Sequence, residues 1–390
     1  MLVIFQIQAG HKMTNKKINP IIYIKKFISQ HSVMCLAALL AIVTSIIVPP
    51  DAEYAGYFDL KTLTCLFCTL AVICALKNIR FFTFLARKIV ALTGNIKISI
   101  LALVYITFIG SMIIANDMAL ITFLPLGYFV LSDTGKQKYM AFTFIMQNIA
   151  ANLGGMLTPF GNPQSLYLYS YFNIPTGEFT LIMLPLFLLS VALITALCLI
   201  FVKSERISIS STEKIKLPLA KTIFYLLLFA YSIIIVFRIV PFWTGLIIIP
   251  LALVFTDVIS LAKVDYALLL TFVFFFIFAG NMSRMDVVQN LLSALLEKST
   301  LIFSVLCCQV MSNVPTAVLL SHFTENYREL LMGVNIGGAG TMIASLASLI
   351  TYREYTSHYP DKKKFYLLLF TAINVFFAVT LTVFAYFILI

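Results

Sequence analysis

The sequence predicts an all-α integral membrane protein. It reads as inverted-topology repeats with two re-entrant hairpins, two unwound transmembrane helices and about nine full spans. Three observations predict this. The 390 residues are 61% hydrophobic and 11% charged, against about 25% charged in a soluble domain, and mean hydropathy is +1.00. Separate apolar runs recur along the chain, many of them near or above the ~18 residues that suggest a span. Strict alternation, the mark of a β-barrel, is absent. Finally, two short polar motifs interrupt the apolar sequence, and each occurs twice in the same order.

Residues 1–32 read as a cytoplasmic N-terminal segment. Met1 to Ala9 is apolar but too short for a signal peptide. Met13-Thr14-Asn15-Lys16-Lys17 resembles an ordinary start, so residues 1–12 read as an upstream extension. The first repeat is expected over 33–202, with apolar runs at 33–50, 60–77, 96–114, 117–131, 139–170 and 179–202. A cytoplasmic linker follows over 203–220, carrying Ser208, Ser210, Ser211 and Thr212. The second repeat is expected over 221–390, with runs at 221–240, 243–260, 266–280, 300–331, 331–350 and 364–390.

The repeat extends beyond the polar motifs. Run 60–77 leads into Asn78-Ile79-Arg80 and an amphipathic stretch to Leu92. Run 266–280 leads into Asn281-Met282-Ser283-Arg284 and an amphipathic stretch to Leu296. Run 221–240 has no counterpart before 33–50, so the first repeat reads as having lost its leading helix.

Loop charge orients the chain. With the N-terminus in the cytoplasm, and 96–131 and 300–331 as hairpins, only Lys61, Arg238, Arg284, Lys298 and Arg328 of the 27 basic residues fall outside. That bias follows the positive-inside rule. It also accounts for the net charge of +11 without nucleic acid, because the basic residues form no stripe. The expected location is a bacterial plasma membrane, with lipid as surroundings and a homodimer as a possible assembly.

The seven cysteines all fall in apolar runs. Cys65-x-x-Cys68 matches a redox spacing, but it lies mid-helix without a His or acidic partner and reads as packing.

The first motif pair is Ala115-Asn116-Asp117-Met118 and Ser312-Asn313-Val314-Pro315-Thr316. The second is Asn152-Leu153-Gly154-Gly155-Met156-Leu157-Thr158 and Asn335-Ile336-Gly337-Gly338-Ala339-Gly340-Thr341. Helix-breaking polar sequence at membrane depth is tolerated where it lines a cavity, and paired breaks in two halves point to a transporter's binding site. The candidate ion- and substrate-binding residues are therefore Asn116, Asp117, Asn152, Gly154, Gly155, Thr158, Asn162, Ser312, Asn313, Thr316, Asn335, Gly337, Gly338 and Thr341.

Within that set Asp117 is the expected coupling residue, since an intramembrane carboxylate must meet polar groups, bind a cation or take a proton. The bland alternative is a carboxyl serving a helix N-terminus. Asn116 and Asn313 are tip residues whose amides both donate and accept. Together with Asp117 they are the candidate sodium ligands. The Gly pairs permit unwinding, so that helix N-termini face an anion and freed carbonyls a cation; the alternative is close helix packing through small residues. Pro159 and Pro163 bracket the first break, where Asn162 and Gln164 stand. His322 and Tyr167, Tyr169 and Tyr171 read as interfacial, the tyrosines as an aromatic belt.

These motifs resemble the ion transporter superfamily and its citrate-transporter-like domain, over about residues 33–390. The resemblance rests on Asn116-Asp117, Asn152-x-Gly-Gly through Gly161-Asn162-Pro163-Gln164, Ser312-Asn313-x-Pro315 and Asn335-x-Gly-Gly-x-Gly-Thr341. It implies a scaffold and a moving transport domain, with binding between hairpin tips and unwound helices. Ala115-Asn116-Asp117 and Ser312-Asn313-Val314 depart from the Ser-Asn-Thr tips of the dicarboxylate–sodium symporters. The chain is more similar to the arsenite permeases and the NhaD-type sodium–proton antiporters.

The expected function is secondary active transport of a small inorganic or organic anion, coupled to sodium or protons. Sodium–proton antiport is the alternative and a passive anion channel the remote one. No cofactor beyond a coupling sodium or proton is expected. A nucleotide loop of the Walker type is absent, and the acid or His clusters of a membrane enzyme are missing.

Overall fold

The computed structural model describes residue 27 and residues 31–91, 93–207 and 216–390. Among them are seventeen α-helices. In chain order they are α1 (Ser32–Ile47), α2 (Leu60–Asn78), α3 (Phe81–Ala91), α4 (Ile96–Ile114), α5 (Asn116–Asp133), α6 (Met140–Gly154), α7 (Pro163–Tyr171) and α8 (Thr176–Phe201). There follow α9 (Leu219–Val236), α10 (Trp243–Ala262), α11 (Tyr266–Ser283), α12 (Asp286–Lys298), α13 (Thr300–Met311), α14 (Asn313–Leu320), α15 (Tyr327–Gly337), α16 (Leu346–His358) and α17 (Lys363–Phe384). Most of the N-terminal segment, including the region before run 33–50 and the extension at 1–12, lies outside the described residues, as do 208–215 of the linker.

The membrane architecture matches the apolar runs. Among the described residues, seven helical stretches are long and apolar enough to cross a bilayer: α2, α4, α8, α9, α10, α11 and the Pro360–Leu389 stretch containing α17. Setting aside α4, six remain. The shorter α1 and two broken helices, α6/α7 and α15/α16, are the segments that the expected nine would add. What makes α4 a hairpin arm is the reversal at Ala115, after which α5 packs back against it. Its 19 residues are about 28 Å long, enough to span. The second hairpin is shorter, with arms of 12 and 8 residues.

The chain forms two compact units, each drawing on both halves of the sequence. The first holds the chain up to Asn78 together with Tyr225–Gln289. There α1 packs on α11 and α2 on α10. Gly245 of α10 lies so close to α2 that a Cβ would stand 2.8 Å from Cys68 Sγ. Cys65 and Cys68 are buried free thiols, in line with packing. The repeat-matched asparagines do matched work. Asn78 Nδ2 donates to Asp257 Oδ2 and Ser260 Oγ, both at 3.0 Å. Asn281 Nδ2 donates to Thr44 Oγ1 and Ser45 Oγ, both at 3.2 Å. Each ties the end of its helix to the helix packed beside it.

The second unit holds Ile79–Phe224 and Asn290–Ile390, and with them both hairpins and both broken helices. The start of the linker is bound to this unit. Ile96 N donates to Glu205 O at 3.0 Å. The Glu205 carboxylate takes ion pairs from Lys136 and from Lys138, the latter at 2.8 Å. Those two hydrogen bonds hold the Glu205 carboxyl down at about 2, from an ordinary value of 4.5.

Candidate functional site

The two hairpins turn in the same way. Each reverses through one non-glycine residue in the left-handed half of backbone space: Ala115 at φ 66, ψ 152 and Ser312 at φ 74, ψ 158. That region is almost reserved for glycine and costs of order 1–3 kcal/mol per residue elsewhere. Each tip is held by a backbone bond to an unwound segment. Asn116 N donates to Gly161 O at 3.2 Å, and Asn313 N donates to Ala344 O at 2.9 Å. Within each tip the Asn Oδ1 accepts the next backbone N–H at 2.9 Å, from Asp117 and Val314.

The broken helices are placed by their glycines. A Cβ on Gly154 would stand 2.2 Å from Phe108 O of α4, and one on Gly337 would stand 2.7 Å from Cys308 Sγ of α13. Gly154, Gly155 and Gly338 keep right-handed helical angles, so the pairs do not unwind the chain through their backbone freedom, against the expectation. Glycine is needed because each broken helix rests directly on the first arm of its own hairpin. Thr158 and Thr341 then repeat one contact. Thr158 Oγ1 donates to Met112 O at 2.7 Å and Thr341 Oγ1 to Gln309 O at 3.3 Å, each three residues before a tip.

Asn152 and Asn335 gather the rest. Asn152 Oδ1 accepts from Asn116 Nδ2 at 3.2 Å and from Ser345 Oγ at 2.9 Å. Asn335 Oδ1 accepts from Asn162 Nδ2 at 3.0 Å, Gln164 Nε2 at 3.2 Å and Ser165 Oγ at 3.1 Å. Each asparagine turns its own Nδ2 back to the carbonyl four residues earlier, at Asn148 and Leu331. The first residues of α5, α7, α14 and α16 are thereby joined in one network. Four helix N-termini present partial positive charge together, which favours an anion. Asn162 Oδ1, Gln164 Oε1 and Asn313 Nδ2 are buried without a protein partner. Two acceptors and one donor are thus available to an occupant.

The structure brings together Asn116, Asn152, Asn162, Ser312, Asn313, Asn335, Gly155, Gly338 and the two threonines of the unwound segments. Asn116 and Asn313 are linked through Asn152, Ser345 and Ala344. Asp117 is half-buried at the second position of α5, where the helix dipole favours a carboxylate. The Thr316 hydroxyl is spent on the tip itself, donating to Ser312 O at 2.7 Å.

Two expectations change or gain partners, and one residue is new. Tyr167 and Tyr169 are buried, so they form no lipid-facing belt. Their hydroxyls pair with Ser321 at 2.8 Å and Thr176 at 2.7 Å, partners that the sequence does not place beside them. Tyr171 is exposed, with His322 edge-on at 5.5 Å. Gln309 was not anticipated. Its Nε2 donates to Val305 O at 2.8 Å and Gly337 O at 3.0 Å, and its Oε1 accepts Thr341 N at 2.7 Å. A lone Gln in an apolar helix gives no sequence signal beyond its cost of burial.

Comparison with known proteins places these features among transporters. The model of a family described as citrate transporter matches residues 20–327. An uncharacterized transporter of Methanocaldococcus jannaschii is 34% identical over 294 residues, covering 75% of this chain and 80% of its own length. The inner membrane protein YbiR of Escherichia coli is 26% identical over 283 residues, covering 70% of this chain and 74% of its own length.

Proposed function

The chain belongs to the citrate transporter family, and from that premise we propose that it is a secondary active transporter moving a small anion, coupled to sodium or protons. Its family and the names of its relatives support a membrane transporter rather than an enzyme. The observation that carries the finer reading is the crossed network at Asn152 and Asn335, which joins four helix N-termini. An anion is favoured at those termini, and a coupling cation at the free amide oxygens and the Asp117 carboxylate. Citrate and arsenite are the first candidate substrates, from the family and the tip motifs respectively.

Sodium–proton antiport is the second reading. It is favoured by the side chains of the network, which are amides and hydroxyls next to one carboxylate, Asp117. Loop charge supports a cytoplasmic N-terminus, and the membrane we propose is a bacterial plasma membrane. The experiment is purified protein in liposomes, with imposed sodium and proton gradients and a panel of arsenite, citrate, succinate, phosphate and sulfate. Anion accumulation that follows a cation gradient supports symport. Sodium-for-proton exchange without any anion supports antiport. Flux that only dissipates gradients of the anion itself would leave a channel.

A further inference from the structure

The second unwound segment opens into a helix with a hydroxyl stripe that its counterpart lacks. Ser345, Ser348, Thr351 and Tyr355 recur every three or four residues at α16, so they share one face, and all four are buried. The matching positions of the first repeat hold Asn162, Ser165, Leu168 and Phe172, so there the polar positions stop after Ser165. The stripe begins where Ser345 donates to Asn152. It ends where Tyr355 stacks on Tyr366 of α17, with ring centroids 4.4 Å apart.

The facing helices are polar at the same level. Asn148, one turn before Asn152 on α6, donates from Nδ2 to Asn374 Oδ1 of α17 at 3.3 Å. The matching position on α15 is Leu331. Asn148 Oδ1, Ser348 Oγ and the Tyr366 hydroxyl are buried with no protein partner, and all three residues are 0% exposed. Where protein supplies no partner to a buried polar atom, ordered water does. The titratable groups along the stripe are Tyr355 and Tyr366, with Tyr359 in ring contact with Tyr355 at 5.1 Å and Tyr352 with Tyr366 at 6.1 Å. At its outer end stand Glu354, with Oε1 3.4 Å from His358 Nε2, and His358 itself, stacked on Tyr128. Asp117 lies beyond the inner end, next to Asn116, which donates to Asn152.

We propose that this stripe is a file of bound water that passes protons between the crossed asparagines and the Lys362–Lys364 end of the second unit. Each water oxygen accepts a proton from one neighbour and hands one of its own to the next, one O–H bond forming as another breaks, while Asn148 Oδ1 only accepts a hydrogen bond from the file. The proton role rests on the reading of the asparagine network as the ion site; the water does not.

Two measurements on the full-length protein test it. In radiolytic labelling with oxygen-18 water, Tyr355 and Tyr366 should take up label several-fold faster than Phe179, a fully buried side chain of the same unit. Ser348→Ala with Thr351→Val should abolish the excess, and Thr351→Val alone serves if the pair does not fold. In liposomes, the same substitutions should slow proton-driven flux by about tenfold, one step of barrier height. Tyrosine labelling no faster than Phe179 overturns the file. Labelled tyrosines with unchanged proton-driven flux in the variants overturn the proton role. If the wild type shows no ion-driven flux at all, the proposed function fails, and the labelling still decides the file.

Discussion

Asn152 and Asn335 each accept a hydrogen bond from the residue that caps the other half's broken helix. Ser345 donates to Asn152, and Asn162 donates to Asn335. The two capping residues occupy matching positions in the repeats, so the bonds cross. Neither unwound segment can shift without breaking a contact to the other. The crossing is unequal, because Asn335 takes three donors and Asn152 two.

That inequality sets an order of stability. Asn335→Ala removes an acceptor shared by Asn162, Gln164 and Ser165; Asn162 keeps Asn152 O, and Gln164 and Ser165 lose theirs. Each buried donor left unpaired costs about 1–3 kcal/mol. Ser345→Ala removes one donor from Asn152, which keeps Asn116, and should cost about 1 kcal/mol. Thermal melting in detergent should place Asn335→Ala well below Ser345→Ala. Equal melting would show that the crossing is not what holds the segments.

Asp117→Asn separates coupling from capping. Asn keeps the shape and can serve a helix start nearly as well as Asp, so melting should change little. Gradient-driven uptake should nonetheless collapse, together with its cation or pH dependence, if the carboxylate carries the coupling ion. Near-normal coupled uptake would reduce Asp117 to a residue of the α5 N-terminus.

The hairpin tips carry strain that glycine relieves. Ala115→Gly should raise stability by about 1 kcal/mol, since φ 66 with ψ 152 suits glycine. Ala115→Val should lower it, because a branched Cβ resists that region further. A loss of stability for both variants would mean that the methyl packing of Ala115 outweighs its backbone strain.

The linker tie responds to acid. The folded Glu205 carboxyl lies at about 2, below its ordinary 4.5. Its ion pairs therefore contribute fully above about pH 4.5 and are lost as pH falls toward 2. Proteolysis at the 203–207 segment should accelerate across that window. Glu205→Gln should show the fast rate already at neutral pH and no acid step.

Orientation is open to chemical labelling. Lys363→Cys should resist a membrane-impermeant thiol reagent in intact cells and react after permeabilisation. Ready reaction in intact cells would reverse the assigned sidedness.

Much of the fold was legible because glycine, proline and asparagine are costly at membrane depth. Gly154-Gly155, Gly337-Gly338 and the two tip asparagines announce breaks wherever they fall in an apolar run. Their mutual contacts follow from the repeat. What stayed hidden depends on partners distant in sequence. Gln309 is a single polar residue in α13, and its three bonds appear only once α13 lies against the 337–341 segment. Asn148 and Asn374 are 226 residues apart, and nothing local marks them as a pair. Tyr167 looked like a belt residue because its partner, Ser321, comes from the other half.

The division of the chain into interleaved units has a consequence for biogenesis. Helices α1 and α2 are made first, yet their packing partners α10 and α11 lie beyond Tyr225. At about 5–20 residues per second, the roughly 150 residues between take about 7–30 s to synthesise. For that time the Cys68 face of α2 and the amide of Asn78 sit in the bilayer without their partners. A ribosome that stops in the linker therefore leaves no half-transporter. It leaves two helices waiting for mates and one broken helix without the Ser345 donor that completes Asn152.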